Sequence, residues 1–130
     1  MKRYNARRAP DPTEWLGLDE MERLLRVERY HRKVAAELPN QRLHASIHVV
    51  VENQIALGEA TPVGSTVDRL MREGLDRHEA IHAVGAMLSD KLFELVEGRF
   101  EGEAQEFTDD YFSKVERLTA EGWKRGDFSE

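Results

Sequence analysis

Apolar residues in this chain recur three and four positions apart and nowhere alternate long enough to build a strand. Leu24, Val27, His31, Val34 and Leu38 form the first such stripe, starting at the cap Asp19 and stopping at Pro39. Asn40 then caps a helix over 41–57, with Leu43, Ile47, Val50, Val51 and Ile55 on a broad face closed by Gly58. Thr61-Pro62 opens a short helix that ends at Gly74. Asp76 opens a longer one, carrying Ile81, Val84, Leu88, Leu92, Leu95 and Val96 as far as Gly98. The run Val49-Val50-Val51 is β-branched, but it lies inside a helical period and the period decides.

The acidic, glycine-containing stretch 99–106 reads as a loop. A last helix is expected from Thr108 to Gly122, with Phe107 and Phe112 at the two staple positions. The expected fold is therefore all-α, a small bundle of four to five helices. Residues 1–18 are expected as a flexible basic arm, 19–98 as the helical core, and 99–130 as an acidic loop and C-terminal helix.

Composition narrows the function. With 130 residues, 40% hydrophobic and 34% charged, the chain has material for one domain. It contains no cysteine, which removes disulfides, thiolate catalysis and Cys-ligated zinc or iron–sulfur clusters, and suits a cytoplasmic address. A net charge of −6 argues against nucleic-acid binding, and no apolar run is long enough for a membrane helix. The charge is uneven: residues 1–42 carry a net +3 and residues 43–130 a net −9. The basic Met1-Lys2-Arg3-Tyr4 start is followed by no apolar stretch of the kind a secretory signal has. The sequence has neither a phosphate-cradling glycine loop nor a serine nucleophile elbow.

Histidine is the unusual residue. Of five, four form two H-x-x-x-H pairs, His44/His48 and His78/His82, on different expected helices. Random placement would give about 0.15 such pairs. Residues four apart on a helix stand one above the other, so each pair can aim two imidazoles at one point, and two packed helices can supply four nitrogens. His44, His48, His78 and His82 are accordingly the expected metal ligands. His31, on the first helical stripe, is a core-edge residue or an added ligand.

An all-imidazole site suits zinc, iron, nickel or copper, with zinc or iron the expected ion. His78-Glu79-Ala80-Ile81-His82 also matches H-E-x-x-H, which would make Glu79 the general base of a zinc hydrolase. The His48/Glu52 spacing is similar to that of hemerythrin and other di-iron bundles, with Glu52, Asp90 and Glu94 as carboxylates to consider. The alternative of a different class is an acidic protein-interaction module whose histidines form a structural polar cluster.

Asn40, Leu43-His44, His48, Asn53-Gln54, Pro62, Arg77-His78 and His82 come in an order that resembles a family of small bacterial proteins classed as a domain of unknown function. The resemblance implies a helical fold and a bacterial origin and attaches no activity. Trp15 and Trp123 are expected to pack the chain's two ends onto the bundle, and Gly85 to mark a close helix–helix approach. A homodimer is expected from the lean core, with the histidine site closing within one chain or across a twofold axis.

Overall fold

The computed structural model describes residues 3–34 and 40–126. Among them every regular element is a helix: α1 (Pro12–Gly17), α2 (Glu20–Val34), α3 (Gln41–Ala56), α4 (Val63–Arg72), α5 (Arg77–Val96), α6 (Ala104–Arg117) and α7 (Ala120–Arg125). A short 3-10 turn, Gly58–Ala60, precedes α4. The expected stripe residue Leu38 and the stop Pro39 lie outside the described residues.

Three of the expected caps act as such. The Asp19 carboxylate accepts the Glu22 N–H at 2.9 Å, Asn40 accepts that of Leu43 at 3.2 Å, and Asp76 accepts that of Glu79 at 2.8 Å. Asn40 does so from a left-handed backbone, φ 49°, which asparagine tolerates better than most residues. At α4 the start shifts by one residue. Pro62 occupies the cap position, while the Thr61 hydroxyl accepts the Val63 N–H at 3.2 Å.

The C-terminal third departs from the expected loop and single helix. Helix α6 starts at Ala104, because Glu103 and Glu106 form a reciprocal capping box. Acidic residues that look unpatterned are here the favourable charge at a helix N-terminus. The helix then breaks at Leu118, where the backbone is extended, and the Thr119 side chain caps α7 by accepting the Gly122 N–H at 3.0 Å.

Helix α3 is the shared element, in contact with α1, α2, α4 and α5. Its Val51 joins the larger core with Val63, Val67 and Leu70 of α4, Ile81, Val84 and Met87 of α5, and Tyr111 and Val115 of α6. Its Ala45 and Val49 join a second cluster with Tyr4, Ala6, Trp15 and Val27. Residues 3–18, expected as a flexible arm, thus contribute three buried side chains and a helix, α1, started by Asp11 with proline at its first position.

The polar run Glu52-Asn53-Gln54 fastens α3 in three directions. Glu52 meets Arg77 of α5. Asn53 Oδ1 accepts from the Trp15 indole at 2.9 Å and from Arg23 at 3.0 Å, and Gln54 accepts from Tyr111 at 2.7 Å. Gly85 marks the close approach of α5 to α3, since a Cβ there would lie 3.0 Å from Ile47 Cγ2.

Candidate metal centre

Helices α2, α3 and α5 bring all five histidines to one place. His31 comes from α2, His44 and His48 from α3, and His78 and His82 from α5. Ring centroids are 4.4 Å apart for His31–His48, 4.6 Å for His31–His44, 4.3 Å for His78–His82 and 5.2 Å for His48–His82. His31, His48, His78 and His82 each offer a ring nitrogen, and these four atoms all lie within 4.8 Å of one another.

The four residues expected as ligands therefore do come together, and His31 joins them at the centre. The tightest grouping includes His31, and His44 stands against it, 5.0 Å from the ring of His82. All five rings come from one chain, so a twofold axis is not needed to assemble the cluster.

The decisive feature is at the nitrogens. Nε2 of every one of the five histidines is buried and has no hydrogen-bond partner in the protein. Two of the rings have their tautomer fixed from the other side. His31 Nδ1 donates to the Val27 carbonyl at 2.9 Å, one turn back on α2. His48 Nδ1 lies 3.3 Å from the Tyr4 hydroxyl, whose own proton goes to Glu52 Oε2 at 2.5 Å, so the imidazole is the donor. In both rings the proton sits on Nδ1, and Nε2 is left as an unshared lone pair.

Behind His48 stands a chain of support. Tyr4 passes the contact to Glu52, and Arg77 grips the Glu52 carboxylate with two bonds of 2.8 Å. Both members of that ion pair are buried. Arg77 also donates to the Ala6 carbonyl at 3.0 Å, which holds the N-terminal segment over the site. Burial, reinforced by Glu52, pushes the Tyr4 hydroxyl well above its ordinary value, so it remains a neutral phenol.

The carboxylates considered from sequence take other work. Glu52 is occupied by Arg77 and Tyr4 and reaches the histidines only through Tyr4. Glu94 pairs with Lys91 at 3.3 Å, and with Asp90 it lines a separate charged cleft toward the other end of α5. Glu79 is exposed and accepts the Trp123 indole N–H at 2.7 Å. Among the described residues the metal-compatible grouping contains histidines alone, so the bridging carboxylates of a di-iron bundle are missing.

Burial lowers every imidazole pKa. His44, His78 and His82 fall to about 4, driven first by desolvation and then by neighbouring histidines, with Asp76 and Glu79 pulling the other way on the α5 pair. His48 is pushed well below its ordinary value for the same reasons, and desolvation lowers His31 against the pull of the Val27 carbonyl. At neutral pH the cluster is five uncharged lone-pair donors.

A pH prediction follows for the metal-free protein. The folded values lie below the unfolded 6.5, so the unfolded chain binds more protons as pH falls from about 6.5 toward about 4. Stability is complete above that window and is lost on acidification through it, by about 2 kcal/mol between pH 7 and 5 for one fully shifted histidine. Unfolding free energies from urea titrations at the two pH values should differ by at least that amount; equal free energies would mean that the rings are solvated.

Comparison of the chain with protein families, curated proteins and solved structures gave no match. What the site does is therefore read from its own residues. One contributor has little sequence signal. Tyr4 sits in a basic, unpatterned segment and reaches His48 across 44 positions. His31 is legible in the sequence as a position of the α2 stripe and an added ligand, and the structure puts it in the grouping.

Proposed function

We propose that this protein is a metal-binding helical bundle in which His31, His48, His78 and His82 hold one transition-metal ion, with His44 as a fifth imidazole at its edge. The observation that carries the reading is the set of five buried Nε2 atoms without partners. An unpaired buried polar group costs about 1–3 kcal/mol, so five together would cost about 5–15 kcal/mol. That equals the whole net stability of an ordinary domain. A single ion supplies the missing partner to all the rings it touches.

Metal–nitrogen bonds of about 2.0–2.1 Å place ligand nitrogens roughly 3.3 Å apart, so a ring rotation of modest size closes the present grouping. With His44 as a fifth donor the set exceeds the four ligands of a closed zinc tetrahedron, which favours iron, whose six-coordinate shell keeps one position for an exchangeable ligand. The hydrolase reading has less support, because Glu79 is engaged by Trp123 at the surface. The resemblance to the paired-histidine bacterial family accords with this proposal: His44, His48, His78 and His82 belong to the cluster and Arg77 to its support.

The interaction-module reading draws on a different surface. Leu92, Phe93, Leu95 and Val96 are exposed at the end of α5, and Val96 is 82% exposed. Those residues lie about 15–21 Å along the helix from His82. Such a surface can coexist with a metal centre.

Affinity measured against a chromophoric chelator tests the ligand set. His48→Ala and His82→Ala should each abolish tight binding. Tyr4→Phe leaves all five imidazoles in place but removes the acceptor that fixes the His48 tautomer, and should weaken binding about 10–100-fold. Wild-type affinity in all three variants would refute the assignment.

A further inference from the structure

A cleft of about 400 Å³ opens along the seam of α3 and α5 beside Trp123, and His44, His48 and His82 are among its lining residues, their Nε2 atoms buried behind it. The remaining lining is Ile47, Ile81, Gly85 and Ala86 with a few neighbours, and no acidic, lysine or arginine side chain is among it. Its volume is at the lower end for small-molecule sites. Two other clefts, one basic around Arg3, Arg29 and Lys33 and one charged around Lys91, are not lined by any of the histidines.

The electrostatics at the histidines determine which ligand head fits. Neutral imidazoles leave the +2 charge of a divalent ion uncompensated. Among the described residues the buried carboxylates, Glu52 and Glu28, are already neutralised by Arg77 and Arg42. An anionic oxygen ligand is therefore favoured at an open coordination position. The outer cleft dictates the opposite for the rest of the molecule, since an apolar lining rewards an apolar body and penalises a second charge.

Resting on the metal reading above, we infer that the α3–α5 cleft is the ligand entrance of the metal centre. It takes a small monoanion with an apolar body, such as an aromatic or short aliphatic carboxylate, whose head binds the ion beside His44, His48 and His82. Gly85 belongs to this design because it lets Ile47 and α5 meet closely in the cleft wall.

The test uses full-length, untagged protein loaded with cobalt(II), whose visible absorption bands report the coordination shell. Titration with benzoate, acetate and benzyl alcohol separates head from body. Benzoate should shift the bands with a dissociation constant at least tenfold below that of acetate, and benzyl alcohol should leave them unchanged. Ala86→Trp, which fills the cleft, should reduce the benzoate advantage to within twofold; Ser89→Phe serves the same purpose if that variant does not fold. Equal binding of benzoate and acetate to wild type, or an advantage that survives the filled cleft, overturns the inference while leaving the metal site standing. Absence of cobalt bands before any probe is added refutes the metal reading and this inference with it.

Discussion

Chelating the metal from the wild-type protein should lower its melting temperature by about 10 °C. An ion present at a hundredfold excess over its dissociation constant, and bound only by the folded state, stabilises that state by about 2.7 kcal/mol. For a domain of this size that corresponds to roughly 8–13 °C. His48→Ala should melt lower than the metal-loaded wild type and should not respond to chelator, because its weakened site no longer couples the ion to folding. Mild acid should imitate the chelator, since protons compete for the same lone pairs. Scanning calorimetry on wild type and His48→Ala, each with and without chelator, gives the comparison. Equal chelator shifts in both would place the metal elsewhere.

The second large effect is expected at Arg77. Arg77→Met leaves the Glu52 carboxylate buried with Tyr4 as its remaining donor. Removing one partner of a buried ion pair costs about 3–5 kcal/mol, or roughly 10–20 °C here. The variant also releases the Ala6 carbonyl and so loosens the segment that carries Tyr4. The double variant Arg77→Met/Glu52→Leu should recover most of the stability, because two apolar side chains of similar size replace the pair. Its metal affinity should stay about 10–100-fold low, since the Tyr4–His48 contact has lost its anchor. A double variant as unstable as the single one would show that the loss comes from packing rather than from the stranded carboxylate.

How much of this could be read from sequence depends on the range of the interactions. The caps at Asp19, Asn40 and Asp76 and the apolar period are local, and the structure has them in place. The Asp11-Pro12 start of α1 is equally local and could have been read; the Glu103–Glu106 box was hidden because both residues look like loop acids. The break at Leu118-Thr119 carries neither proline nor glycine, and its one local mark is Thr119, which caps α7 with Glu121 in the first turn.

The paired histidines announce themselves through the four-residue spacing, which needs no tertiary knowledge. Their support does not. Tyr4, Glu52 and Arg77 meet across 25 to 48 positions, and only packing of the N-terminal segment against α3 and α5 creates the relay. Helix α2 contributes His31 to the centre by the same route, since its stripe faces α3.

The most direct measurement is elemental analysis of protein produced without a histidine tag and without added metal. Five buried lone pairs from one chain predict about one equivalent of a transition metal, iron in preference to zinc, and retention of that metal through gel filtration at neutral pH. A content below about 0.1 equivalent, unchanged after refolding with iron or zinc, would contradict the account and leave the histidines as a polar cluster.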